Sequence, residues 1–293
     1  MDKRQRNATQ AAPLRKTFIR DTVRGRRLSL RAWRFLTTIG CLLLFVFSYW
    51  IDLQLLEGTL VGSRFIGLHL IDPFVTLQVF FSHHAIPVNM AIGTVTVLVA
   101  YLALGGRSFC AWVCPYGTLS EIGESLRFRL IEKGILKKGV RLPGSVKYFV
   151  WAAFLLACFL TGILVFEIFN VVGIVYRALL YGGLLSLTVV LLILLVEIFV
   201  SRRVWCRSIC PVGATYGLLN PVSLLKIKAD KARCNKCGVC TVVCHVPEAL
   251  APVFGKDEKA VYIMSTDCTL CGRCMDVCGE DALAFSNRLK NIV

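Results

Sequence analysis

Uncharged apolar runs alternate with basic segments along this chain. Residues 35 to 51, 85 to 106, 148 to 166 and 178 to 196 contain no Asp, Glu, Lys, Arg or His, and these runs are 17, 22, 19 and 19 residues long. A helix needs roughly 20 predominantly apolar residues to cross the hydrocarbon core of a bilayer. The pattern therefore predicts an α-helical integral membrane protein with four transmembrane helices.

A further apolar stretch, FIGLHLIDPFVTLQVFFS, lies between Arg64 and His83. Asp72 and Pro73 interrupt it, and only ten uncharged residues follow Asp72 before His83. We interpret this stretch as an interfacial or re-entrant segment. A fifth span would also move the basic loop of residues 106 to 147 to the opposite side of the membrane.

The placement of charge predicts the orientation in the membrane. The 293 residues have a mean hydropathy of +0.66 and a net charge of +16, and only 18% of them are charged. Residues 1 to 34, 106 to 147 and 201 to 293 hold 32 of the 34 Lys and Arg residues. Because cytoplasmic loops collect Lys and Arg, we expect both termini and the middle loop in the cytoplasm. No basic stretch resembles a nucleic-acid-binding module, so we expect no nucleic-acid partner.

Eight of the fourteen cysteines form two C-terminal runs, each spaced C-x2-C-x2-C-x3-C. This spacing is typical of ferredoxins with two [4Fe-4S] clusters, in which the fourth cysteine of each run ligates the other cluster. Structural zinc is the alternative, but it favours paired C-x2-C knuckles and leaves the third cysteine of each run without a role. The predicted ligands are Cys234, Cys237, Cys240 and Cys278 for the first cluster, and Cys268, Cys271, Cys274 and Cys244 for the second.

A second motif, C-x3-C-P, occurs twice. GRSFCAWVCPYG follows the second apolar run and SRRVWCRSICPVG follows the fourth, so that Arg, Cys, Cys, Pro and Gly recur at an offset of 96 residues. This repeat predicts two similar helical hairpins of the same orientation. We expect them to form one four-thiol site, a thiol relay or a metal site, with Arg107 and Arg203 lowering the thiol pKa values. Packed structural thiols are the alternative. The four cysteines are Cys110, Cys114, Cys206 and Cys210.

Few other side chains suit proton or metal chemistry. All four histidines lie outside the predicted spans, so paired axial ligands for a membrane haem are missing. His83 and His84, at the outer mouth of the second span, either handle quinol protons or are ordinary interfacial residues. Glu197, at the inner end of the fourth span, is the third candidate for quinol or proton handling; it either pairs with Arg202 and Arg203 or marks a polar cavity.

These features divide the chain into three parts. Residues 1 to 34 are a basic cytoplasmic tail, residues 35 to 215 a four-helix membrane domain with both C-x3-C-P motifs, and residues 216 to 293 a ferredoxin-like α+β domain. An insert in the last part, residues 245 to 267, is expected to form a surface hairpin. Short strands are predicted at residues 224 to 229, 260 to 264 and 282 to 285.

Together these residues resemble the NapH family. The resemblance rests on four spans with both ends inside, FCAWVCPYG after the second span, WCRSICPVG after the fourth, DPFVTLQ in the first outer loop, and the two C-terminal cysteine runs. NapH is the ferredoxin-type membrane subunit of the quinol dehydrogenase that serves periplasmic nitrate reductase.

The resemblance implies a role in the bacterial inner membrane. Electrons would pass from quinol by way of the two [4Fe-4S] clusters to a periplasmic iron–sulfur partner subunit and a membrane-anchored multihaem cytochrome. The chain would then be an oxidoreductase component and not a stand-alone catalyst. Its clusters face the cytoplasm, so electrons still have to cross roughly 30 Å of hydrocarbon. Two alternatives stay open: an assembly or maturation factor that reduces a metal or disulfide in a partner respiratory enzyme, and a scaffold with structural clusters.

Overall fold

The computed structural model describes residues 19–22, 25–51, 56–65, 67–136, 139, 142–255 and 261–288. The N-terminal part of the chain is mainly helical, because its apolar runs contain few helix-breaking residues in their interiors. Among the described residues, the helices of ten residues or more are Leu30–Trp50, Pro73–His83, Val88–Leu104, Pro115–Glu132, Val146–Thr161, Val171–Tyr181 and Leu187–Phe199.

Shorter elements connect these helices. The helical ones are Phe109–Trp112, Val165–Phe169, the 3-10 turn Leu184–Ser186, the π-helical turn Trp205–Ile209 and the helix Pro211–Leu219. The strands Ile19–Thr22 and Gly25–Leu28 form an antiparallel pair, and a second antiparallel sheet consists of Leu56–Thr59, Gly62–Phe65 and Leu68–Ile71.

The first long helix begins earlier than the sequence predicts. Ser29 accepts a hydrogen bond from the backbone N–H of Ala32 and caps a helix that starts at Leu30, not at residue 35. Asp276, from the C-terminal domain, accepts the backbone N–H groups of Leu30 and Arg31. The end of the predicted tail is therefore built into the domain interface, while residues 1 to 18 lie outside the described part of the chain.

The interrupted apolar stretch forms a short helix. Asp72 caps its first turn by accepting the N–H of Phe74, and Pro73 occupies the first helical position, where its missing N–H costs nothing. The helix ends at His83, and the side chains of Phe74 and Gln78 are fully buried. The break at Asp72 and Pro73 thus starts a packed helix.

The predicted spans are helical, but they differ in length. Among the described residues, Leu30–Trp50 is the one helix that is long and apolar enough to cross a bilayer by itself. The helices Val88–Leu104, Val146–Thr161 and Leu187–Phe199, which cover the other three runs, are apolar and have 10 to 17 residues. The number of membrane crossings stays a prediction.

The C-terminal domain contains a three-stranded antiparallel sheet. Leu225–Ala229 lies between Leu283–Asn287 and the two-residue strand Val261–Tyr262, and Leu225 pairs with Asn287. These strands confirm the three predicted positions. Short helices at Val239–Val243 and Arg273–Asp276 follow the cysteine loops.

The predicted surface hairpin between residues 245 and 267 is wrong. A 3-10 helix, Pro247–Phe254, occupies the first half of the insert and buries Ala249, Leu250 and Val253 in the core of the domain. The strand Val261–Tyr262 then pairs with Lys228 and Ala229 instead of folding back on the insert. Apolar side chains at helical spacing made this segment a core element.

Candidate metal centres

The first predicted ligand set lies around one cavity. Cys234, Cys237 and Cys240 line this cavity together with Cys278, which belongs to the other run. The cavity has a volume of about 30 Å³, and apolar side chains such as Val253 form part of its wall. An exchanged fourth ligand requires this arrangement.

The second predicted set, Cys268, Cys271, Cys274 and Cys244, is also brought together. The charges of Cys271 and Cys268 both act on the Cys244 thiol, and the charge of Cys244 acts in turn on Cys274. Cys271 and Cys274 are buried. Cys244 therefore lies with the three cysteines of the opposite run.

The two cysteine loops have the same backbone conformation. Lys236 and Leu270, each two residues after the first cysteine of a run, have φ values of 57° and 51°. Gly238 and Gly272, each one residue after the second cysteine, have φ values of 76° and 70°. Such left-handed residues turn the chain tightly, so that consecutive thiols point to a common centre.

The donor chemistry fits iron–sulfur clusters. Burial and the negative charge of neighbouring thiolates raise the pKa of Cys240 to about 11 and that of Cys244 to about 12. Crowded, buried thiolates require positive charge, which the iron of a cluster supplies. Across the described residues, no three His, Cys, Asp or Glu side chains are arranged around a single-ion position, and the first set instead surrounds a cavity.

A buried ionic network joins this domain to the helical part. Glu124 accepts hydrogen bonds from Arg203 (3.0 Å), from Arg273 (2.7 Å) and from Arg202. Burial would raise the pKa of Glu124, but these three guanidinium groups hold it well below its ordinary value. Arg273 lies inside the second cysteine run, so the network fixes that loop against the helix Pro115–Glu132.

Glu121 extends the network by one helical turn. Its carboxylate contacts Arg31 at 2.8 Å, Arg34 at 3.0 Å and Arg203 at 3.4 Å. Arg202 also donates to the backbone carbonyl groups of residues 242 and 243, immediately before Cys244. Arginines from three distant segments thus meet on two carboxylates of one helix.

The C-x3-C-P cysteines share a second cavity, as the repeat predicts. We call it the inter-repeat cavity; its volume is about 30 Å³, and it is lined by Cys110, Cys114, Cys206 and Cys210 together with apolar residues. Cys114 and Cys210 stand at the N-termini of Pro115–Glu132 and Pro211–Leu219, where the helix dipole favours negative charge. At Gly117 an added Cβ would lie 2.2 Å from the carbonyl oxygen of Cys110, so the motif needs glycine there.

Arg107 and Arg203 act on the pKa values of these thiols in the predicted direction, but burial acts more strongly. Burial raises the pKa of Cys110, and it raises the pKa of Cys210 to about 12, although Arg107 opposes both shifts. Burial likewise raises the pKa of Cys206 well above its usual value against the opposing charge of Arg203. The arginines compensate part of the burial cost and do not outweigh it.

The three candidates for quinol or proton handling lie apart. His83 and His84 are exposed, and the ring of His84 packs edge-on against Phe159 at 5.5 Å. Glu197 accepts hydrogen bonds from Ser120 (2.6 Å) and from the backbone N–H of Trp205 (3.0 Å). The predicted ion pairs of Glu197 are absent among the described contacts, because Arg202 and Arg203 bind Glu124 and Glu121 instead.

Three buried or half-buried charged side chains were not identified from the sequence as candidate site residues. Lys226 is fully buried beside Cys268, and in the described structure its Nζ has no hydrogen-bond partner. Asp72 is 8% exposed, and Glu167 lines a separate cavity. The sequence signal that could have identified such groups is a charged residue within an apolar stretch. At Asp72 we interpreted this signal only as an interruption of the stretch.

Two family models match the chain. One, described as a 4Fe-4S binding domain, matches residues 86–134 and again residues 183–230. These are the two segments that the offset of 96 residues predicted to be alike. The other, described as a 4Fe-4S dicluster domain, matches residues 226–279. The chain is therefore a ferredoxin-type iron–sulfur protein.

Curated relatives narrow this class. Ferredoxin-type protein NapH of Haemophilus influenzae is 31% identical over 87% of this chain and 89% of its own length. NapH of Escherichia coli is 34% identical over 84% and 85% of the two chains. Methylamine utilization ferredoxin-type protein MauN of Paracoccus denitrificans is 35% identical over 83% of each chain. The chain belongs to the NapH family, which confirms the resemblance of its motifs. No solved structure gives a significant match.

Proposed function

We propose that this chain is a membrane-bound electron-transfer subunit that carries two [4Fe-4S] clusters and oxidises quinol. The cavity lined by Cys234, Cys237, Cys240 and Cys278 carries this proposal, because it takes its fourth thiol from the other run. When bound, the clusters supply one-electron transfer. The chain is then a component of a quinol dehydrogenase and not a stand-alone catalyst.

The second cluster lies on the side of the helical domain. Its proposed ligands are the second set, and the loop that holds them makes three contacts with the helical part. Arg273 binds Glu124, Trp112 donates a hydrogen bond to the carbonyl of Leu270 (3.1 Å), and Arg107 contacts Asp267 (2.9 Å). These contacts support the second cluster as the entry point from the membrane part. Cys237, a proposed ligand of the first cluster, is exposed, so the first cluster lies at the surface of the domain.

Exposed apolar side chains support a membrane location. Phe47, Val99, Phe149 and Leu192 stand on the four helices that cover the predicted spans, and they are between 56% and 77% exposed. Continuous apolar surface of this kind is unfavourable in water and favourable against lipid tails. With the basic segments on one side, both termini are cytoplasmic in this proposal and the chain is a multi-pass inner-membrane protein.

A cavity at the far end of the helical part suits a quinol ring. Glu167 and Arg177 line it together with Val61, Ile71 and Met90, and its volume is about 280 Å³, close to the lower end of the usual range for ligand pockets. Quinol oxidation releases two electrons and two protons. The carboxylates of Glu167 and the neighbouring Asp72 are placed to accept the protons, which makes them better candidates than the exposed His83 and His84.

The terminal enzyme follows from the relatives. As a member of the NapH family, the chain would serve periplasmic nitrate reductase, with a periplasmic iron–sulfur subunit and a multihaem cytochrome as the carriers in between. MauN is equally similar, and its name makes methylamine utilization the second candidate system. Both assign this chain to electron transfer with a partner enzyme.

A deletion strain separates electron supply from maturation. The gene is deleted, and the terminal reductase is assayed with an artificial donor and with quinol. Electron supply predicts full activity with the artificial donor and none with quinol, restored by the intact chain but not by Cys237→Ala. Loss of activity with both donors would indicate a maturation factor and contradict the proposal.

A further inference from the structure

The inter-repeat cavity is the part of the molecule that the two-cluster function does not use. Each repeat contributes two thiols, and two thiols are too few to hold an iron–sulfur cluster. The matched positions of the repeats bring all four thiols to one cavity. Simple packing does not require cysteine at four equivalent positions around an enclosed space.

We propose that the inter-repeat cavity binds a third iron–sulfur cluster, held jointly by Cys110 and Cys114 of one repeat and Cys206 and Cys210 of the other. The family model that matches residues 86–134 and 183–230 is described as a 4Fe-4S binding domain, and the new element here is one cluster shared by the two repeats. The proposal stands on the cavity and its four thiols.

The size of the cavity supports a cluster. Its volume is about 30 Å³, the same as that of the cavity lined by the first ferredoxin-type set, and four cysteines surround each of them. The walls of the inter-repeat cavity include Phe109, Phe166 and Trp205, which keep water away from a cluster. An iron–sulfur cluster of the same size therefore fits both places.

The charges around the cavity complement a cluster with four thiolates, which is negative overall. Arg107 is 2% exposed, and its guanidinium group donates to the carbonyl oxygen of Cys206. Its charge acts on Cys110, Cys206 and Cys210. The N-termini of two helices add positive potential at Cys114 and Cys210.

The position of the cavity closes the gap between the membrane and the ferredoxin-type domain. On one side, Arg107 also contacts Asp267, which directly precedes the second cysteine run. On the other side, Phe166 and Asn170 line the inter-repeat cavity while Glu167 and Gly173 line the proposed quinol cavity. One short segment thus separates the two cavities. A cluster held by these four cysteines would supply one-electron transfer between the proposed quinol cavity and the second cluster, and carboxylates beside the quinol cavity would hold the protons.

Iron counting tests this proposal on the full-length protein purified without oxygen. Three four-iron clusters predict about twelve irons and twelve acid-labile sulfides per chain. The double variant Cys110→Ser, Cys206→Ser should lose about four irons and one set of EPR or Mössbauer signals, while the signals of the ferredoxin-type clusters persist and report correct folding. The control Cys41→Ser, a cysteine in the first helix outside the cavity, should keep all irons.

Two further measurements keep the outcome clear. The single variant Cys110→Ser, with three thiols and a serine oxygen, should shift the spectrum of the third cluster without changing the other two. Cys237→Ala should remove iron from the C-terminal domain only. About eight irons in the native protein, unchanged in the double variant, would overturn the third cluster and leave the two-cluster function intact. A disulfide between these cysteines in freshly isolated protein, detected by mass spectrometry after alkylation, would overturn it as well.

Discussion

Replacing Glu124 by Gln tests the ionic network between the two parts of the chain. Glu124 is 4% exposed and pairs with Arg202, Arg203 and Arg273. Glutamine keeps the shape of the side chain but leaves three guanidinium groups without this counter-charge. Breaking a buried ion pair in this way costs about 3–5 kcal/mol, so the equilibrium between docked and detached cysteine loops should shift by about 10²- to 10⁴-fold.

Hydrogen exchange of the protein with its clusters bound measures this shift. Backbone amides at residues 240–244 and 270–276 should exchange faster in Glu124→Gln by up to the same factor, because these segments are held by Arg202 and Arg273. Glu132→Gln is the matched control, since Glu132 lies on the same helix and is exposed. Equal exchange in the two variants would refute the idea that Glu124 holds the loops in place.

Three more predictions follow from single groups. Burial would raise the pKa of Glu121, but the surrounding arginines lower it to about 2. Ionised Glu121 therefore stabilises the fold at pH values above its ordinary pKa of about 4.3. The difference in the free energy of unfolding between the native protein and Glu121→Gln, measured by denaturation, should vanish as the pH falls from about 4 to about 2. Lys226→Met should lower the reduction potential of the second cluster in an EPR redox titration, because a nearby buried cation favours the more negative reduced state. The control Lys228→Met should leave this potential unchanged. Equal reduction potentials in the Lys226→Met variant and the native protein would exclude this role. Reporter fusions after Arg129 and at Val293 should both report the cytoplasm, and an external signal at either site would contradict the topology.

Most of the site prediction came from the spacing of the cysteines along the sequence. The C-x2-C-x2-C-x3-C runs fold into two loops of equal conformation, and the cavity around Cys278 has the predicted exchange. The four thiols that recur at an offset of 96 residues line one cavity. These features follow from residues that repeat at fixed distances, so they are visible without tertiary structure.

The ionic network could not be predicted in the same way. Arg31 and Arg34 look like the end of a basic tail, and Arg202 and Arg203 look like partners of the nearby Glu197. In the fold, all four arginines pair with Glu121 or Glu124, which lie 78 to 90 positions away in the sequence. Because the paired residues are far apart in the sequence, the sequence alone does not show that they form ion pairs. Apolar periodicity cannot reveal which charged side chains become buried, because only packing decides it.

The central claim is that quinol supplies electrons to the clusters of this chain. The full-length protein is reconstituted in lipid vesicles without oxygen, a reduced quinol is added, and cluster reduction is followed by EPR with dithionite as the reference for full reduction. The account predicts that quinol reduces the ferredoxin-type clusters in the native protein and far more slowly in a variant with Glu167→Gln and Asp72→Asn. Clusters that dithionite reduces but that no quinol reduces would contradict it.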